Sequence, residues 1–407
     1  MKYIVMIGDG MADFPLEARD GKTPLELANI PCMDRIATEG ELGIVRTIPI
    51  GCPPGSDTGN LSIMGYNPAS VYTGRSPLEA VSLGVDMKMT DIAFRCNLVT
   101  VSDAENFDDR IMITHSGSGI TDDEARIIVK DLNDFFAQDG LSFTFGASYR
   151  HVVIADGEGL DARAIVTHAP HDNLDKALGG ILPEGPLSEK LSDCIRRSIP
   201  FLENHPVNLD RAARGLGKAN CIWFWGEGRK PALEPLTDTT GLCGSIISAV
   251  PLLHGIGQLA GLKSIYVEGA TADLHTNYTG KMQAALDAIH QGDDIVIIHV
   301  EAPDECSHDG DIDGKIYSVE QIDQKILVPL MAALEEEGID YRLLLMPDHG
   351  TTICTRTHDA EPIPYALYDS TCKRQGEARS YSEPSAKNAD TWIDDGYTLI
   401  YRLLQKD

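Results

Sequence analysis

Residues 295–308 read IVIIHVEAPDECSH, an almost unbroken aliphatic run that stops at Ala302-Pro303 and is followed by Asp304 and then His308. Such a run, without polar alternation, is the composition of a strand buried on both faces of a parallel sheet. The Asp-x-x-x-His that follows places an oxygen and a nitrogen about one helical turn apart, so both can reach one divalent cation. The device recurs twice. Residues 3–7 (YIVMI) run into Gly8-Asp9-Gly10, and residues 342–346 (RLLLM) run into Pro347-Asp348-His349-Gly350, with His358 close behind. In open α/β sheets ligands bind beyond the carboxyl ends of the parallel strands. Three strands that finish on acids therefore carry Asp9, Asp304, His308, Asp348, His349 and His358 to one edge.

A seventh group belongs nearby. Residues 51–60 (GCPPGSDTGN) form a Pro/Gly loop, then an apolar-periodic LSIMGY begins, so a helix is expected from an N-cap at Ser56-Asp57-Thr58. A serine there faces free backbone N–H groups and the positive end of the helix dipole. That setting suits a hydroxyl that loses its proton and then carries phosphate, although capping alone accounts for the residue equally well. Six Asp/His ligands exceed one tetrahedral or five-coordinate ion and suit two. Mixed Asp/His ligation favours Mn²⁺ or Zn²⁺ over Mg²⁺. Two such ions about 3.5–4 Å apart can hold both oxygens of an in-line phosphoryl displacement.

Between these segments the texture changes. Residues 91–115 alternate as short strands, 121–140 read as an acid-capped helix, 143–156 as strand and 188–204 as helix. The expected organisation is a discontinuous core of residues 1–84 and 217–407 with an inserted α+β domain at 85–216. In the core the spacing predicts a strand in NCIWFW (220–225), a helix over 244–262, a strand over 264–267 and one long helix over 314–337. The insert holds possible anion contacts at Arg150, His151, His171, Asp172, Arg211 and Arg214; arginine suits bidentate carboxylate or phosphate recognition. Arginines brought over a metal site in the other domain would make a closing cleft.

The balance of charge narrows the partners. Thirty-four Lys and Arg stand against 62 Asp and Glu, a net charge of −28. Nucleic acid and anionic membrane surfaces ask for the opposite sign, so an anionic substrate needs local cations or bound metal ions. The nine cysteines are scattered singly with no Cys-x-x-Cys pair, the usage of reduced thiols. No signal-peptide pattern opens the sequence and no window approaches a membrane span. A cytoplasmic protein with no nucleic-acid or membrane partner is expected; its oligomeric state is left open.

Eight stretches together carry a family likeness: IGDGMAD (7–13), the Gly-Ser-Asp-Thr loop with LSIMGYNP behind it (55–68), TGRSPLEA (73–80), IWFWGEG (222–228), GATADLHTNYTGK (269–281), APDECSHDGD (302–311), MPDHG (346–350) and TRTHDAEPIP (355–364). The chain resembles, nearly end to end, the archaeal-type branch of the cofactor-independent phosphoglycerate mutases, within the alkaline phosphatase superfamily. The resemblance implies an α/β fold, an alkaline-phosphatase-like, mostly parallel sheet flanked by helices, with the α+β insert clamping phosphoglycerate. It implies Ser56 as phosphorylated nucleophile, one metal held by Asp9, Ser56, Asp348 and His349, and another by Asp304, His308 and His358. Lys281 is expected to help at the phosphate. The expected activity is interconversion of 3-phosphoglycerate and 2-phosphoglycerate with two divalent ions, Mn²⁺ foremost and Mg²⁺, Zn²⁺ or Co²⁺ as alternatives, and without 2,3-bisphosphoglycerate. Asp172 or Asp103 is expected to shuttle the hydroxyl proton. A homoserine-kinase-like phosphotransferase of the same branch, or a metal-dependent phosphatase, stands as the alternative.

Overall fold

The computed structural model describes residues 1–389 and 391–405. The chain divides into two compact units, Met1–Tyr72 with Leu233–Asp407, and Thr73–Ala232. The first is built on an eight-stranded sheet, in the order Thr391–Ile393, Glu41–Val45, Ile363–Asp369, Tyr341–Met346, Lys2–Gly8, Ile295–Val300, Gly244–Ile247 and Lys263–Ile265. Only Ile363–Asp369 is antiparallel to its neighbours. Lys2–Gly8 sits centrally and pairs in parallel on both sides, with Gly8 opposite Val300 and Ile7 opposite Met346. That register brings the residues just past three strand ends into one layer. Alternate residues Ile4, Met6, Val296, Ile298, Leu343 and Leu345 bury against Met33, Ile36, Ile322 and Leu330 of the covering helices. Each such side chain contributes about 1.5–3 kcal/mol when fully buried.

Pro31 opens the helix Pro31–Glu39, with Gly40 as its C-cap. Three expectations for elements of this unit need correction. Residues 244–262 are not one helix: Gly244–Ile247 is a strand parallel to Ile295–Val300, and only Pro251–Leu259 is helical. A four-residue strand, Gly-Ser-Ile-Ile, buried throughout is too short to show a period that distinguishes it from helix. The neighbouring strand is Lys263–Ile265, earlier than residues 264–267. The helix over 314–337 is divided into Ile312–Ile322, a π-turn at Asp323–Leu327 and Val328–Glu336. Pro329 lacks the N–H that a continuous helix needs. The displaced Asp323 is put to use, accepting from the backbone N–H of Met33 at 2.7 Å and of Cys32 at 3.3 Å.

The second unit is an antiparallel sheet of Met112–Thr114, Ile92–Val101, Arg150–Ala155, Leu141–Ala147 and Cys221–Arg229, with helices Asp122–Phe135 and Ser188–Glu203. The strand foreseen in NCIWFW thus pairs with Ile92–Val101 here, and not in the large sheet. An all-apolar run specifies burial without specifying which sheet buries it. Phe94, Leu98, Phe136, Trp223 and Phe224 fill this unit's core. Among the described residues no helix is long and apolar enough to cross a membrane.

Candidate active site

The serine loop delivers its hydroxyl differently from expectation. Gly55 takes the N-cap position, and Ser56 is the first residue of the helix Ser56–Ile63, buried at 6% exposure. Freed from capping, Ser56 Oγ lies 3.3 Å from Asp9 Oδ2 and 3.2 Å from His349 Nε2. Asn60, one turn on, donates from Nδ2 to Ser56 O and to Asp348 Oδ2, both at 2.8 Å. The same carboxylate accepts from Gly10 N at 3.2 Å. Gly10 has φ +60°, and a Cβ there would lie 2.6 Å from Thr351 Oγ1 and 2.7 Å from Asp304 Oδ1. Only glycine lets the loop after the first strand pass this close to its neighbours.

Asp304 and His308 stand on the helix Ala302–Asp309, with His308 Nε2 3.1 Å from Asp304 Oδ2. The hairpin Gly350–Thr352 with Thr357–Asp359 folds back so that Thr351 faces His358. His358 Nε2 thereby comes 3.1 Å from His308 Nε2 and 3.6 Å from Asp304 Oδ1. His349 Nε2 is 3.4 Å from Asp9 Oδ1 and 3.5 Å from Asp348 Oδ2. All seven residues named from the strand ends and the serine loop are therefore gathered at one edge of the first unit.

Two further residues join them. His299 Nε2 is 3.0 Å from Asp9 Oδ2 and 3.6 Å from Glu301 Oε2. A histidine within an otherwise aliphatic strand, followed two residues on by a glutamate at the strand end, was the available signal. Ligand atoms of Asp304, His308 and His358, of Asp9, His299 and Glu301, and of Asp9, Asp304 and His349 each lie within 4.8 Å of one another.

The electrostatics ask for a cation. Burial, then the charges of Asp348, Glu301 and Asp304, push the Asp9 carboxyl well above its usual range. Burial is also the main cause that raises Glu301 to about 7. Burial would raise Asp304 as well, but hydrogen bonds from His308 and His358 hold it well below the ordinary value. Asp9 Oδ1 and Glu301 Oε2 are buried without a hydrogen-bond partner. Buried carboxylates crowded in this way are stable when paired or coordinating metal. The donor set fits divalent ions bound through Asp oxygens and His nitrogens.

The expected substrate contacts divide. Lys281 is buried in the first unit with Nζ 2.8 Å from His299 O, and burial lowers it to about 8. In the second unit Arg150 lies over the Tyr149 ring, Tyr149 meets the His115 ring, and His115 stands 6.2 Å from the His171 ring. His171 Nε2 is 3.7 Å from Asp172 Oδ1. His115 was missed; THSG gives it no ligand spacing. Arg211 is elsewhere and is structural: at 1% exposure it donates to the carbonyls of Gly117, Ser118 and Gly217 and pairs with Glu124. Arg214 pairs with the same Glu124 and with Asp210. His151 is 3% exposed, beside the Phe145 ring. Asp103 is exposed and paired with Arg110.

A mostly parallel α/β sheet whose strand ends converge acids and histidines on one buried serine defines a candidate metal-assisted phosphotransfer or hydrolysis scaffold. The 2,3-bisphosphoglycerate-independent phosphoglycerate mutase family model matches residues 37–208. A Methanosarcina barkeri protein of that name is 44% identical over 400 residues, covering 98% of both chains. Its Methanosarcina mazei counterpart is 41% identical over the full length of both. The chain belongs to the 2,3-bisphosphoglycerate-independent phosphoglycerate mutase family. In fold it is similar to a solved Pyrococcus horikoshii protein, with a TM-score of 0.80 at 25% identity over 100% of this chain and 97% of that one.

Proposed function

We propose that the chain interconverts 3-phosphoglycerate and 2-phosphoglycerate through a phosphoserine at Ser56, in a site that holds two divalent ions, Mn²⁺ foremost. The observation that carries the reading is a buried serine hydroxyl at a helix start, within 3.3 Å of Asp9 and 3.2 Å of His349. Asp9, Ser56, Asp348 and His349 would hold one ion, and Asp304, His308 and His358 the other. His299 and Glu301 border the first set and orient Asp9. When bound, the ions neutralise phosphate charge and favour the serine alkoxide.

The Ser56 hydroxyl gives up its proton as Oγ attacks phosphorus, the bond from phosphorus to the glycerate 3-oxygen breaks, and that oxygen takes up a proton. Glycerate then turns, its 2-hydroxyl attacks the phosphoserine and loses its proton, the bond from phosphorus to Ser56 Oγ breaks, and Oγ is protonated again. A helix N-terminus suits both the alkoxide and the phosphoserine charge. Lys281, held by the carbonyl of His299, adds positive charge next to this centre. To the second unit the reading gives the substrate-clamping role, and His115, Arg150, His171 and Asp172 are the polar cluster within it. Retaining glycerate away from water is what separates a mutase from a phosphatase.

The test is an enolase-coupled assay on Mn²⁺-loaded protein. Conversion of 3-phosphoglycerate without added 2,3-bisphosphoglycerate is expected, and Ser56→Ala should lower kcat by at least about 10³-fold, since a covalent route has no substitute nucleophile. Activity that requires the bisphosphate, or that persists in Ser56→Ala, contradicts the reading.

A further inference from the structure

Lys315 has no part in the reaction just described, yet it is wholly buried beside it. It stands on the helix Ile312–Ile322, which follows the Asp304–His308 helix after Gly310 and Asp311. Its Nζ is 2.8 Å from Asp13 Oδ2, 2.7 Å from Thr351 O and 3.3 Å from Ala12 O. An ammonium has three N–H donors, and all three are used, each on one of two loops. Ala12 and Asp13 continue the loop that bears Asp9, and Thr351 continues the segment that bears Asp348 and His349.

The two loops also meet directly. Thr351 N donates to Ala12 O at 3.3 Å, and Asp13 Oδ2 accepts from Ile353 N at 3.1 Å. Thr351, gripped by its carbonyl, turns its hydroxyl to Asp304 Oδ1 and stands 3.2 Å from His349 Nδ1. One residue thus touches a carboxylate assigned to one ion and a histidine assigned to the other. Behind Asp13, Glu383 accepts from Asp13 N at 2.9 Å and from Thr23 Oγ1 at 2.6 Å, so the latch is anchored on its far side.

We infer that Lys315 is a positioning residue that fixes the spacing between the two sets of metal ligands, by fastening the Asp9 loop and the His349 segment to the helix that follows Asp304 and His308. The inference rests on the proposed metal centre. Groups that orient ligands without touching the ion change metal affinity by about 10- to 100-fold when removed. A lysine that served stability alone would leave affinity unchanged in any variant that folds.

The experiment measures Mn²⁺ binding by calorimetry on the full chain, beside thermal unfolding of the metal-free protein. Lys315→Met strands the Asp13 carboxylate, so Lys315→Met with Asp13→Asn removes both charges together. The double variant is expected to bind Mn²⁺ about 10- to 100-fold more weakly, and to unfold near the wild-type temperature. Should it not fold, Lys315→Arg keeps the charge and is expected to weaken binding in the same direction. Arg342→Met is the control: this buried arginine bonds Leu403 O at the opposite end of the Tyr341–Met346 strand, so stability should fall while affinity stays. Affinity within twofold of wild type in the folded Lys315 variant overturns the inference. A wild-type protein that binds no Mn²⁺ overturns the metal centre itself.

Discussion

At the scale of single residues, whether a buried polar group finds partners separates the chemical from the structural. Asp9 and Glu301 are buried with unpartnered oxygens, whereas Arg211 is buried with its donors engaged by three carbonyls and Glu124. Asp9 was marked in the sequence by the aliphatic strand before it, whereas nothing local told a structural Arg211 from one that binds an anion. His299 shows the same limit: it resembles a tolerated interruption of a strand until the fold sets it 3.0 Å from Asp9. His151 gives a prediction at this scale. Burial lowers it to about 3, so the folded protein keeps it neutral while the unfolded chain protonates below about 6.5. Its contribution is present above that pH and is lost as pH falls toward 3. Between pH 7.5 and 5.5, urea unfolding should show wild type losing about 1.4 kcal/mol more than His151→Gln. Equal losses contradict neutral burial.

At the scale of elements, the strands that carry the candidate site were legible because each is a continuous aliphatic run ending on an acid: Lys2–Gly8, Ile295–Val300 and Tyr341–Met346. Gly244–Ile247 was not, being too short for a period, and the partner of Cys221–Arg229 was not, since apolarity names no sheet. Helix ends were legible where capping chemistry marks them. Thr121 and Glu124 form a reciprocal capping box at the start of Asp122–Phe135. Thr121→Ala should cost about 1 kcal/mol, read as a lower urea midpoint at unchanged m-value. No shift in midpoint would falsify the box as a stabilising contact. The same Glu124 accepts from Arg211 and Arg214, so Glu124→Ala should cost more than Thr121→Ala.

At the scale of the whole chain, the first unit unites residues from positions 9, 56, 299–308 and 348–358 through a central strand paired in parallel on both sides. Sequence order hides that convergence, while the sheet rule that ligands gather at carboxyl strand ends reveals it. The surplus of acid over base in composition is consistent with an anionic substrate only if cations mediate the encounter. The account therefore turns on whether two divalent ions sit beside Ser56. Anomalous diffraction at the manganese edge, from crystals grown with Mn²⁺, measures this directly. The account predicts two peaks about 4 Å apart, one touching Asp9, Asp348 and His349 and the other Asp304, His308 and His358. No peak among these residues, or bound manganese confined to another part of the chain, contradicts it.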